Sequence, residues 1–148
     1  PLAFKALKKR LPSGYDFTII DCPPNLGVLT TMALYACNYF IVPMEPEHFS
    51  VNGLKDLLDY SSQVTEDDRF LGAFLTRYHM KERSVLRRQM LGLAKDELKG
   101  KVFDQMIRRN VKLAEAQALG ESIVDYAPDS NGARDYIALT KEILTKIN

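Results

Sequence analysis

Four short strand-like runs, Phe17–Asp21, Tyr39–Pro43, Phe70–Leu75 and Val102–Ile107, are separated by longer segments whose apolar residues recur at helical spacing. This change of period is the strongest constraint the chain carries. A short run rich in β-branched and aromatic residues reads as a buried strand, and an apolar stripe at i, i+3, i+4 and i+7 reads as the inward face of a helix. The first helix is expected from Asn25 or Leu26 to about Ala36, with Leu26, Leu29 and Ala33 on one face. Ser50 reads as the N-cap of a second, with Val51, Leu54, Leu57 and Leu58 inward. A third spans Glu82–Leu98, with Leu86, Met90, Leu93 and Ala94 toward the core and Arg88, Lys95 and Lys99 on a separate stripe. Val111–Ala118 forms a short fourth, and Ala133, Tyr136, Ile137, Thr140, Ile143, Leu144 and Ile147 form one face of the last. Strands alternating with helices join through right-handed βαβ crossovers, so the expected fold is α/β, a mainly parallel sheet with flanking helices. The loop cluster Ala127–Gly132 starts the last helix rather than separating domains, so residues 1–148 are read as part of a single domain.

With 148 residues, 46% of them hydrophobic, the chain has apolar mass for one core. It has no apolar run approaching the ~18 residues that span a bilayer, and the expected location is cytoplasmic. Cys22 and Cys37 are not in a CxxC arrangement, so they suggest neither a zinc nor an iron–sulfur ligand set. His48 and His79 are distant in sequence and read as loop residues. Glu45 and Glu47 flank Pro46 after a strand, but no second acid falls on a matching strand end to complete a paired-carboxylate site. The net charge of +1 conceals a segregation. Residues 45–68 hold seven acids against Lys55, whereas residues 81–112 hold ten Lys or Arg against Glu82, Asp96, Glu97 and Asp104. A surface of that kind attracts phosphate backbones, and mixed solvated helix faces produce the same count.

The first strand-like run ends on Asp21, followed by Cys22, Pro23, Pro24, Asn25, Leu26 and Gly27. Open α/β sheets bind ligands at such carboxyl ends, although an Asp before prolines also serves as a turn-former or helix N-cap. A Gly-rich loop of the form K-G-G-x-G-K-[ST], which would cradle phosphates with its backbone N–H groups, does not occur in these residues. Because the chain also opens at Pro1 without Met, the expectation is the carboxy-terminal portion of a longer protein whose phosphate loop lies upstream.

Asp21-Cys22-Pro23-Pro24 resembles the DxPP signature of ParA/Soj-type partition ATPases, relatives of MinD in the deviant-Walker P-loop class. Four further segments resemble that family in order: Val42–Leu54, Phe74–Tyr78, Val102–Asp104 and Arg109–Ala116. The resemblance runs from about Leu11 to Leu144 and implies a P-loop NTPase-like, Rossmann-like three-layer fold, incomplete at its amino end. It implies ATP and Mg²⁺ as cofactors of the intact protein, with Asp21 holding the metal through water and Pro23, Pro24 and Gly27 shaping a switch that senses the terminal phosphate. It maps the base-side turns to Thr76, Arg77 and Tyr78 and to Ile107, Arg108, Arg109 and Asn110. The sequence departs from the family at Arg108 and Gln117, where Pro is usual. The catalytic lysines and the switch-I acid would lie upstream, so the 148 residues alone are expected to be inactive. Nonspecific DNA is the implied partner, contacted by Arg88, Lys95, Lys99, Arg109, Lys112, Arg134 and Lys141, together with a ParB-like stimulator of hydrolysis and a second copy in an ATP-bound homodimer. The implied role is partition of plasmid or chromosomal DNA, or positioning of another cargo. One alternative is a MinD-like membrane-associated ATPase, whose basic amphipathic end differs from Glu142–Asn148, where the apolar residues continue the core-facing stripe. Another is a noncatalytic binding module that keeps the fold without the phosphate loop.

Overall fold

The alternation of periods becomes helices and parallel strands in a computed structural model, which describes residues 14–45, 51–82, 85, 88, 92, 98 and 100–147. The elements run α1 (Val28–Ala36), β1 (Phe40–Met44), α2 (Val51–Val64), β2 (Phe70–Leu75), a 3-10 turn (Met80–Glu82), α3 (Val111–Leu119), α4 (Ile123–Tyr126) and α5 (Asn131–Ile147). β1 and β2 are parallel neighbours joined through α2, a βαβ unit, and the fold is α/β. Two compact units divide the chain, Pro1–Phe40 with Ser50–Phe70, and Ile41–Phe49 with Leu71–Asn148. Phe40 N–H donates to Arg69 O at 2.9 Å in the first, and Thr76 N–H donates to Met44 O at 2.9 Å in the second.

In the first unit α1 packs on α2, burying Thr30, Ala33, Leu34 and Leu54, with Leu57 and Leu58 half-buried as their spacing requires. The Phe40 and Phe70 rings meet at 5.4 Å. One guanidinium nitrogen of Arg69 donates to Leu34 O, Tyr35 O and Cys37 O at 3.3, 2.8 and 2.8 Å, satisfying carbonyls that the end of α1 leaves without helical partners. Two expectations are corrected here. α1 turns Thr30, Ala33 and Leu34 inward, while Leu29 is 66% exposed and Leu26 lies in the preceding turn. Phe17–Asp21 is not a strand, because a strand exists only through its ladder and no described residue pairs with it; Ile19 is 93% exposed.

The second unit centres on Phe74, Phe103, Ile107 and Leu139, against which Leu71, Leu113 and Ile143 pack. Phe74 and Phe103 meet edge to face at 6.3 Å. Gly72 permits the crossing of residues 101–103, since a Cβ there would sit 3.0 Å from the Phe103 ring and 3.2 Å from Lys101 O. Residues 102–108 approach β2 and the turn after it through two isolated parallel bridges, Ala73 with Val102 and Tyr78 with Arg108, rather than as the expected continuous strand. Carboxylates of α5 take three of the amides in this segment: Glu142 accepts from Asp104 N and Gln105 N at 2.8 and 2.9 Å, and Asp135 from Arg108 N at 2.9 Å. Those two acids stand seven residues apart and so share one face. Their anchoring rotates α5 away from the expected stripe: Gly132, Ala133, Asp135 and Leu139 are buried, whereas Tyr136, Ile137 and Thr140 are exposed. α3 forms as expected, started by Asn110, whose side chain accepts from Lys112 N, and stopped by Gly120 in the left-handed conformation. The short α4, capped by Ser122, was not legible from periodicity. Of the expected Glu82–Leu98 helix, Val85, Arg88 and Gly92 are helical and Leu98 is buried in a bend. Leu86, Met90, Leu93, Ala94, Lys95 and Lys99 lie outside the described residues, as do Glu47, His48 and Ser50.

Candidate functional site

Asp21 is exposed, and no hydrogen bond or ion pair holds its carboxylate among the described residues. Pro23 and Pro24 carry no N–H, so the turn is fastened by other groups. Asn25 N–H donates back to Pro23 O at 2.8 Å, and the buried Thr30 hydroxyl donates to Asn25 O at 2.6 Å. Gly27 is the N-cap of α1, and its carbonyl accepts from both the amide and the hydroxyl of Thr31, at 3.0 and 2.9 Å. Among the described residues no side chain caps this helix start, the kind of terminus that can accept an anion. Burial, and then the Asp21 charge, push the Cys22 thiol up, which leaves it a poor nucleophile.

In the second unit the structure brings the two expected base-side turns together. Ile107 N–H donates to Leu75 O at 2.8 Å and Arg109 N–H to Tyr78 O at 3.0 Å, laying residues 107–109 along Thr76–Tyr78. Arg77 has φ +56° and pairs with Glu45 at 3.2 Å. Arg109 is exposed, its guanidinium 3.5 Å from His79 Nε2. The other mapped residues have evident structural tasks. Tyr78 is buried, Ile107 is 1% exposed and offers only its backbone, and the Asn110 side chain caps α3. The Arg108 guanidinium reaches Asp135 at 2.8 and 2.6 Å, and that carboxylate holds its pKa further above the usual arginine range.

Arg88, Arg109, Lys112, Arg134 and Lys141 of the expected basic surface are exposed; Lys95 and Lys99 lie outside the described residues. Arg134 stands 3.9 Å from Asp129. Lys112 is tied to Glu115 at 2.7 Å and lies over the Tyr126 ring, and Tyr126 O–H donates to the same carboxylate oxygen at 2.7 Å. These contacts push the Lys112 and Tyr126 pKa values up and hold the Glu115 carboxyl below its usual range. Sequence reasoning missed Thr30, Thr31 and Tyr60 around the turn, which no motif marks. It also missed Asp135 and Glu142, whose seven-residue spacing within an apolar helix was a usable signal.

A family model described as an AAA domain matches residues 2–71. The sporulation initiation inhibitor protein Soj of Bacillus subtilis is 36% identical over 95% of this chain and 55% of its own length. The chromosome partitioning protein ParA of Myxococcus xanthus is 33% identical over 92% of the chain and 49% of its own length. The chromosome-partitioning ATPase Soj of Thermus thermophilus is 35% identical over 96% and 58%. The chain thus spans about half the length of the curated relatives it matches.

Proposed function

We propose that the chain, which is similar over most of its length to Soj and ParA proteins, supplies the switch and base-side portion of a ParA/Soj-type partition ATPase that binds DNA nonspecifically as an ATP-bound dimer. The task of that ATPase is DNA partition or cargo positioning in the cytoplasm, with a ParB-like partner that stimulates hydrolysis. The phosphate loop and its lysines belong, in this reading, to the part of the relatives' length that these 148 residues do not match. The observation that supports the reading is the turn Asp21–Gly27, an exposed carboxylate followed by a proline-stiffened entry into a helix start that has no side-chain cap among the described residues.

Within it, Asp21 would hold Mg²⁺ through water, and the ion would supply positive charge to phosphate oxygens. Pro23, Pro24 and Gly27 set the path of the phosphate-sensing backbone. Thr76, Arg77, Arg109 and Asn110, with the backbone of Ile107 and Arg108, take the base-side role. DNA contacts fall to Arg88, Lys95, Lys99, Arg109, Lys112, Arg134 and Lys141. Ile143 on the last helix packs against the core, which favours the DNA reading over a bilayer-inserting one, and no helix among the described residues is long and apolar enough to cross a membrane. Asp21→Ala in the full-length protein should lower ATP turnover at least about 100-fold, a loss typical of removing one preorganised electrostatic group. Its thermal unfolding should match the parent, since the side chain is exposed. Unchanged turnover would remove Asp21 from the Mg²⁺ role.

A further inference from the structure

A series of hydroxyls leads from the turn Asp21–Gly27 to α2. Thr31 Oγ1 lies 2.9 Å from Gly27 O and 2.6 Å from Tyr60 Oη. A carbonyl only accepts, so the single hydroxyl proton of Thr31 goes to Gly27 O, and Tyr60 is the donor in the shorter bond. Thr31 and Tyr60 are half-buried, where hydrogen bonds in series polarise and strengthen one another. Thr30 holds Asn25 O from the same helix turn. The Asn25 and Gly27 carbonyls are therefore gripped by α1, and the grip on Gly27 continues to α2, which packs against α1.

We propose that Tyr60 is a positioning residue: through Thr31 it fixes the Gly27 carbonyl, so that the set of the phosphate-sensing turn and the placement of α2 depend on each other. The proposal rests on the reading of Asp21–Gly27 as that turn. Tyr60→Phe keeps the ring and removes only the donor, whereas Thr31→Ser keeps both bonds.

Hydrogen–deuterium exchange of the full-length protein, without nucleotide and with Mg-ATP, tests it in residues 25–33 and 54–64. Without nucleotide, Tyr60→Phe should speed exchange in residues 25–33 about five-fold, the factor of one ordinary hydrogen bond, and leave α5 unchanged. Thr31→Ser should exchange like the parent. With Mg-ATP, the parent should change exchange in both segments, and Tyr60→Phe should keep the change at the turn and lose it in α2. Parental exchange at the turn in Tyr60→Phe, or a Thr31→Ser variant that behaves like Tyr60→Phe, overturns the link. A retained α2 response in Tyr60→Phe overturns the coupling. A parent protein that does not respond to Mg-ATP sinks the ATPase reading instead, while the nucleotide-free comparison still decides the link.

Discussion

Arg77 holds φ +56° without being glycine, at the turn where β2 ends. Left-handed backbone costs an L-residue ~1–2 kcal/mol, and Gly avoids that cost at the expense of some chain entropy. The Glu45 pair offsets little, because the Arg77 side chain is 63% exposed. Arg77→Gly should therefore unfold in urea within about 0.5 kcal/mol of the parent, while Arg77→Val, β-branched in the same conformation, should cost ~2 kcal/mol. Equal losses in both would show that the ion pair, not the backbone, matters at this position. Asp135 is the opposite case. The residue is 4% exposed, and its carboxylate accepts from Arg108 N, Nε and Nη2 at 2.9, 2.8 and 2.6 Å. Asp135→Asn leaves a mostly covered guanidinium without its counter-charge and should cost ~2–3 kcal/mol, the lower part of the range for broken buried pairs because Arg108 retains some solvent exposure. A cost below ~1 kcal/mol in urea unfolding would mean that Arg108 finds water instead.

At the scale of elements, α3 and α4 are joined on the surface by Lys112, Glu115 and Tyr126. Lys112 first, and then Tyr126, hold the Glu115 pKa below its ordinary value of 4.5. A group lowered by folding contributes stability that is present above its unfolded pKa and lost as pH falls through the folded one. The Lys112 and Tyr126 values are raised from 10.5 and 10.0, so their share is present below about pH 10 and lost as the solution becomes more alkaline. Glu115→Gln should thus unfold earlier than the parent at neutral pH, by a small margin because the groups are exposed, and the difference should shrink and vanish as pH falls through the lowered Glu115 pKa. A pH-independent difference in urea midpoint would assign the effect to packing. The same logic of carboxylates meeting donors explains residues 102–108. Glu142 and Asp135 take amides there that a continuous ladder would otherwise hold, which is why strand-like sequence yields only two bridges.

At the scale of the whole molecule, the proposed DNA-binding role requires an affinity that follows charge rather than sequence. Replacing Arg88, Arg109 and Lys141 with Glu in the full-length protein should weaken ATP-dependent binding to all duplexes alike and lower the logarithmic salt slope by about 1 for each phosphate no longer neutralised. Lys112→Glu should change the slope less, since Glu115 already neutralises that lysine. A filter-binding titration with the parental slope would make this face a solvated surface. The α/β class, the βαβ unit from Tyr39 to Leu75, α3 and the extent of α5 were legible in the sequence, because period and capping residues report local geometry and burial. So was the turn at Asp21, since two prolines and a glycine restrict the backbone wherever they stand. Tertiary structure alone decided that Phe17–Asp21 pairs with no described strand, that α1 buries Thr30 in place of Leu29, and that α5 rotates to present two acids. It also decided that Thr31 joins Gly27 to Tyr60. Each of these depends on a partner distant in sequence, and a ladder, a buried ion pair or a shared hydroxyl proton leaves no periodic trace along the chain.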